Sequence, residues 1–450
     1  MAASELPVLA AKPATHLGPK RKDLDTCVHC GLCLNACPTY RELGLEADSP
    51  RGRVYQMIQV HEGKAQIDED YQKHISLCLA CRACESSCPS GVPYGRLVEA
   101  ARAEIDAKTE APPMEKRVMD FVFKTVLPSA KWLKALTYPL YLYQHYGLEK
   151  RVNDSGLLNR FPRVAELAAL SPRAQHPSFF TQYGKTFPAM GERKYRVAML
   201  GGCMANVCFV PLHEATVRVL QRNGCDVVVP PDQTCCGALH VHAGRKDEAQ
   251  GLARQNIDVL LNSDFDALLT NTAGCGCALK EYHELLEDDP AYANRAHQFA
   301  HKVKDINEFL ASIDFRPPEQ ELDAVVTYQD SCHLTHGQKL PAPPRKLIRS
   351  IPGITFKEMP FSDHCCGSAG IYNVMHTDMS MNLLSKKMGH ANSTKAEIIV
   401  SANPGCLLQL EAGVRKHGSG QRVMHVVELL DEAYGGKEGV PGPLVPEVAK

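Results

Sequence analysis

From residue 191 onwards, short Val-rich apolar runs alternate with stretches of helical periodicity. The runs YRVAML, CDVVV and FDALLT come first, and AVVTY, ITFKEM and AEIIVS follow. Short apolar runs of this kind read as strands covered on both faces, and strand–helix alternation predicts an α/β arrangement with parallel sheets. The pattern differs upstream. SPRGRVYQMIQVHEGK predicts a helix started near Pro50, with Val54, Met57 and Ile58 on one face, and PYGRLVEAARAEIDAK predicts another. Residues 110–190 are largely apolar and basic, broken by prolines and free of cysteine, and predict a helical linker. The chain therefore reads as an α+β multidomain protein. A flexible tail at 1–22 leads into a helical module at 23–105, the linker extends over 106–190, α/β units occupy 191–318 and 319–436, and a second tail covers 437–450.

The two α/β units repeat one another. Each has a cysteine after its first strand (Cys203 or Cys332), an adjacent pair followed by glycine (Cys235–Cys236 or Cys365–Cys366), and a late cysteine (Cys275 or Cys406). These landmarks are offset by 129, 130 and 131 residues, a step too regular for chance. KDINEFL and MHVVELL close the copies with an apolar helix, offset by 120.

Composition narrows the chemistry. With 44% apolar and 22% charged residues the chain can bury sizeable cores, and a net charge of −1 gives no electrostatic case for nucleic acid. No apolar run approaches the length of a membrane span. The 19 cysteines are the outlier. Disulfide scaffolds are short secreted chains, whereas this one is long, begins without the pattern of a secretory signal, and carries an odd number of cysteines. Adjacent pairs and tight spacings point to metal in a reducing, cytoplasmic setting.

Residues 27–38 and 78–89 each have the form C-x2-C-x2-C-x3-C-P. This is the spacing of bacterial ferredoxins that carry two [4Fe–4S] clusters. Three cysteines on one tight loop wrap three corners of a cubane, and the fourth leaves to reach the other cluster. By that rule one cluster takes Cys27, Cys30, Cys33 and Cys88, and the other takes Cys78, Cys81, Cys84 and Cys37. Small residues such as Gly31 and Ala83 let backbone N–H groups approach. A zinc site of four thiolates is the rival, but it has no use for the repeated third cysteine or the C-P. Cubanes move single electrons, so the module is a wire with something at each end.

In the repeated units, Gly237 and Gly367 supply turns on which adjacent thiols converge, and all three cysteine landmarks follow strand ends, where ligands gather in open α/β sheets. Buried, inert cysteine is the alternative, and it suits Cys208 and Cys225, which have no counterpart in the other copy. His240, His242, His333, His336 and His364 flank these cysteines as ligands, proton donors, a quinone-site lining or simply satisfied loop residues.

A tandem ferredoxin module followed by two CCG domains resembles the iron–sulfur subunits that accompany flavin dehydrogenases. That family includes the subunits of glycolate oxidase and anaerobic glycerol-3-phosphate dehydrogenase, a lactate-utilisation protein and heterodisulfide reductase subunits. The resemblance spans about 20–436, and SPRGRVYQM, NTAGC and NPGC are most similar to the glycolate oxidase type. It implies a hetero-oligomer in which FAD sits on a partner dehydrogenase subunit and the clusters here relay electrons towards an acceptor such as quinone. No catalytic residue is expected on this chain, which lacks a GxGxxG after a strand and a P-loop. In heterodisulfide reductase relatives a fifth cysteine, in a late C-x2-C, helps hold an unusual cluster in each CCG domain. Here Ala278 and Gln409 stand at that place, so a third cluster is more plausible in copy one, where Cys277 can substitute, than in copy two. A reductase of the heterodisulfide type and a lactate-utilisation protein remain the alternatives. Residues 114–143 hold the single Trp (Trp132), several aromatics, and five Lys/Arg against two acids. They suit a membrane-surface helix, a partner-facing helix, or a helix packed on the chain's own ferredoxin module.

Overall fold

In this computed structural model residues 18–443 are described, apart from 110–111, 157–159, 162–163, 166–167, 169 and 262–263. Of the expected tails, 1–17 and 444–450 lie outside the described residues. Lys20 is tied to Glu287 at 2.7 Å, and a short helix opens at Arg21.

The N-terminal module is helical. Pro50–His61 starts where its sequence says it should: Pro50 is preorganised for a first turn, and Ser49 Oγ caps the helix by accepting from Gly52 N at 2.9 Å. Gly52 is required, because a Cβ there would lie 1.9 Å from Glu46 O. Val54 and Met57 turn inward to meet Leu24, Tyr71, Ile75, Leu97 and Val98, the last two from helix Tyr94–Lys108. Arg53 is fully buried and answers three polar groups at once: Asp48 (3.4 Å), Thr39 Oγ1 (3.1 Å) and His74 O (2.7 Å).

The linker contains helices Pro113–Asp120 and Ala130–His145 around a π-helical turn, Phe121–Val126. Its inner face packs on the first α/β unit. Phe123, Val126, Leu127 and Leu133 join a core with Cys203, Val207 and Cys235 of the first α/β unit. Its outer face leaves Met114, Val118, Phe121, Trp132, Leu136 and Tyr138 exposed.

Each α/β unit is a mainly parallel sheet. In the first, β1 (Thr186–Phe187), β2 (Tyr195–Met199), β3 (Cys225–Val228), β4 (Ala267–Thr270) and β5 (Val303–Asp305) lie in the order β1-β3-β2-β4-β5. In the second, β6 (Ala324–Tyr328), β7 (Ile354–Glu358), β8 (Ile398–Ser401) and β9 (Arg422–His425) lie in the order β7-β6-β8-β9. Apart from the short antiparallel edge strand β1, the two orders are the same, as a duplication requires. The closing apolar helices also match. Ile306–Ser312 and Val426–Ala433 both begin with a capping box, Asp305 with Glu308 and His425 with Glu428. The copies share one core, in which Leu212, Val219 and Leu220 meet Val427, Leu429 and Leu430, and Arg218 grips Asp431 at 2.6 Å.

Candidate iron–sulfur centres

The two ferredoxin-type loops fold alike. In each, the third and fifth residues of the motif adopt left-handed backbone: His29 (φ 54°) and Gly31 (φ 82°), then Ala80 (φ 50°) and Arg82 (φ 63°). Alternating left- and right-handed residues turns successive amides toward one side and makes a concavity for anions. Only one of the four is glycine, so three positions hold a conformation that side chains disfavour. Ala83 opens a short helix, and its amide lies against the Cys81 sulfur.

The loops make two hollows. One is lined by Cys27, Cys30, Cys33 and Cys88, the other by Cys37, Cys78, Cys81 and Cys84, with Cys84 also touching the first. The fourth cysteine of each motif thus stands in the opposite hollow. Neither hollow is lined by a carboxylate; Arg51 lines the first, and Arg53 and Arg82 the second. Four thiols to each hollow with cationic neighbours, His29 also lining the first, fit an anionic, thiolate-bound cluster. Among the described residues, no three His, Cys, Asp or Glu draw close enough to hold a single metal ion. The sulfurs ring their hollows instead. Cys78 Sγ accepts from Ala80 N at 3.4 Å and faces Tyr94 Oη at 3.7 Å. Burial raises the proton affinity of the Cys81 and Cys84 thiols well above normal, and of Cys27 and Cys33 to a lesser extent.

Four thiols also converge in each α/β copy. After β2, β3 and β4 the chain delivers Cys203, Cys235, Cys236 and Cys275, with Cys236 and Cys275 sulfurs 3.0 Å apart. After β6, β7 and β8 it delivers Cys332, Cys365, Cys366 and Cys406. Gly237 and Gly367 take the left-handed turn (φ 81° and 92°) that lets each adjacent pair converge, and a Cβ on Gly367 would lie 2.5 Å from Ser380 O. Crowded thiols raise one another: Cys203 is pushed up by Cys235 and then by burial, and Cys406 by Cys366 and then by burial.

Cys277 does not join the copy-one set. Its sulfur accepts from Arg82 Nη1 at 3.2 Å, beside Glu281. Cys208 and Cys225 are buried core residues. Of the flanking histidines, His336 is satisfied, bridging Ser86 and Asp363, whereas His240 donates from Nε2 to Phe123 O (2.9 Å) and keeps Nδ1 buried without a hydrogen-bond partner. His364 Nε2 accepts from Arg41 at 2.7 Å. His333 lies 3.8 Å from Cys332 Sγ and stacks on His242. The residues around the sulfurs that sequence reasoning passed over are Arg82, Glu99, Arg102 and Glu281. Arg82 stands inside the second cysteine motif but reaches Cys277 and Glu281 far along the chain, and Glu99, Arg102 and Glu281 sit in no motif.

The hollows and the copies are contiguous. Cys81 and Ala83 of the second hollow share a core with Cys365 and Tyr372 of copy two, against which Cys332 also packs. Gly274 N donates to Asn403 at 3.3 Å, joining the late-cysteine turns of the two copies, and Gln338, from the segment after Cys332, donates to Ala273 O at 3.0 Å.

A two-hollow cysteine module set against paired four-thiol α/β copies defines a multicentre iron–sulfur protein. Comparison with known proteins agrees. Residues 23–92 match the 4Fe-4S dicluster domain family, 197–280 and 326–411 the cysteine-rich CCG domain, and 114–171 the linker region of the glycolate oxidase iron-sulfur subunit. The chain is 43% identical over 421 residues to the probable glycolate oxidase iron-sulfur subunit of Bacillus subtilis, covering 92% of this chain and 95% of the relative. It is 34% identical to the glycolate oxidase iron-sulfur subunit of Escherichia coli, over 91% of this chain and 94% of that one. Lactate utilization protein A of Oceanobacillus iheyensis is 31% identical over 52% of this chain and 96% of its own. The chain belongs to the glycolate oxidase iron–sulfur subunit family, and its cofactors include two [4Fe–4S] clusters.

Proposed function

We propose that this chain is the electron-transfer subunit of a flavin-dependent 2-hydroxy-acid dehydrogenase that oxidises glycolate to glyoxylate on a partner subunit carrying FAD. The observation that carries this reading is the grouping of the ferredoxin cysteines into two crossed sets, one at the surface and one against copy two. Cys27, Cys30, Cys33 and Cys88 hold the outer cluster, and Cys37, Cys78, Cys81 and Cys84 the inner one. Bound there, a [4Fe–4S] cubane accepts and releases single electrons. The chain's part is positional: left-handed loop amides and flanking arginines offset the clusters' negative charge, and the inner set's contact with Cys365 extends the route into the CCG domains. Cys203, Cys235, Cys236 and Cys275, and Cys332, Cys365, Cys366 and Cys406, form two further all-thiol sets suited to a redox centre. The names of the relatives support glycolate as the substrate of the assembly.

The family likeness over half the chain to lactate utilization protein A keeps lactate as the second reading. A disulfide reductase of the heterodisulfide type is disfavoured by Ala278 and Gln409 at the fifth-ligand place and by the turning of Cys277 towards Arg82.

The exposed aromatic face of the linker, with Trp132 and its surrounding lysines, supports a peripheral position at the cytoplasmic membrane surface, close to a quinone acceptor. Among the described residues no helix is long and apolar enough to cross a membrane. The test is co-purification. A stoichiometric flavoprotein that bleaches the iron–sulfur absorbance when glycolate is added supports the proposal. Bleaching by lactate alone moves the substrate, and intact clusters without any flavoprotein partner reject the role.

A further inference from the structure

Two cavities meet where the ferredoxin module, the linker and both CCG copies join, and they share a wall. The wall is the His242–His333 pair, whose ring centroids lie 5.1 Å apart. On one side is a cleft of about 610 Å³, within the size range of small-molecule sites. Leu79, Met119, Leu239, Ile371 and Met375 give it an apolar lining, and Cys78 of the inner hollow reaches it. Met375 is half exposed beside exposed Val374, and Met119 belongs to the linker helix whose outer face carries Met114 and Val118. On the other side is a smaller cavity of mixed lining, whose charged groups include Lys20, Glu99, Glu281 and Glu287.

Three observations distinguish the wall from ordinary packing. His333 Nε2 is buried without a hydrogen-bond partner. His242 Nδ1 and Glu99 Oε1 lie 3.0 Å apart, so the pair shares a proton. Arg102, on the same helix as Glu99, donates to both His242 O and Cys78 O, clamping the histidine's segment to the inner sulfur loop. An apolar cleft therefore ends in imidazole, guanidinium and a cysteine of the inner electron-transfer set.

We propose that this cleft binds a quinone, with its ring at the His242–His333 wall and its tail leaving past Met375, and that the quinone is reduced there to the quinol. This rests on the electron-transfer reading above. Two electrons arrive singly through the inner hollow, supplied by the partner flavoprotein as it oxidises a 2-hydroxy acid. Two protons are added, one to each carbonyl oxygen, so that both C=O groups become C–OH. Glu99 passes protons through His242, and the charged groups of the smaller cavity restore them from solvent. His333 Nε2 gains its missing partner in a ring oxygen, and Arg102 offsets negative charge at the cleft's inner end. The ionisation of the pair suits this relay. Burial raises Glu99 to about 7, so it carries a proton near neutrality, and burial lowers His242 to about 3, so the imidazole stays neutral and transmits one.

The test uses the iron-loaded full chain and a decyl-tailed benzoquinone as probe. Met375→Glu puts a charge at a half-exposed position in the cleft mouth; equilibrium binding of the probe should weaken about tenfold, a loss of about 1.4 kcal/mol, with iron content unchanged. Glu99→Gln should still bind the probe, but its reduction in the presence of flavoprotein and hydroxy acid should slow about 10²-fold. Unchanged affinity in Met375→Glu overturns the cleft, and unchanged reduction in Glu99→Gln overturns the proton route. Bleaching of the wild-type clusters by flavoprotein and hydroxy acid, without quinone, reports separately on electron entry. If that bleaching is absent, the electron-transfer reading fails while the binding measurement still decides the cleft.

Discussion

The two hollows of the ferredoxin module are built from one motif and sit in opposite surroundings. Around the outer one, Cys30 is exposed and Cys27, Cys33 and Cys88 are half-buried, with Val28 and Leu32 67% and 61% exposed at its rim. The four cysteines of the inner one are all buried, close to Tyr94 and in a core that runs on to Cys365 and Tyr372. The ligand spacing is the same, so the difference lies in what the rest of the chain packs against each loop. It teaches that a symmetric pair of sites gains direction from its surroundings: the outer set faces the surface, and the inner set packs against the second CCG domain.

The sharpest way to break this comparison is to remove one set at a time. Cys84→Ser should cost about four irons and abolish acceptor reduction, because the inner cluster that packs against copy two is lost. Cys30→Ser should abolish reduction by the flavoprotein yet leave an inner cluster that dithionite still reduces, followed by electron paramagnetic resonance. If the two variants give the same paramagnetic signal after dithionite, outer and inner sites are not distinct. The arginines give the next largest contrast. Arg53 is buried with its charge answered by Asp48, so Arg53→Met should lower stability by about 3–5 kcal/mol, since Asp48 is left buried and only His74 remains beside it. Arg51 pairs with Glu46 near the surface, and Arg51→Met should stay within about 1 kcal/mol. Denaturant titration of anaerobically prepared protein measures both, and equal losses would deny that the inner hollow is the structural one. The smallest effect belongs to the rim. Leu32→Glu should slow reduction by the flavoprotein severalfold at unchanged iron content and stability; an unchanged rate would remove the rim from the docking surface.

Much of this arrangement was legible in the residues themselves. Pro50 with the Val54, Met57 and Ile58 stripe became a helix, and the in-step cysteine landmarks became two sheets of matching strand order. Duplication made the sites readable, because each copy checks the other. What escaped was short or non-local. Strands β5 and β9 have three and four residues and run straight into their helices, so KDINEFL and MHVVELL looked like helix alone. The linker's polar and apolar residues foretold an amphipathic helix, but not that its inner face would cover Cys203 and Cys235. Cys277 has the spacing of a spare ligand, yet Arg82 draws its sulfur away from 195 residues upstream. Glu99 stands one residue after Leu97 and Val98 on an amphipathic helix and looks like any solvated acid; only the fold brings it to His242.

Metal analysis of anaerobically purified protein tests the central claim, the crossed two-cluster relay, most directly. The account predicts at least about eight irons per chain with matching acid-labile sulfide, falling by about four in Cys84→Ser. About four irons or fewer in the wild type, with zinc in their place, would contradict it.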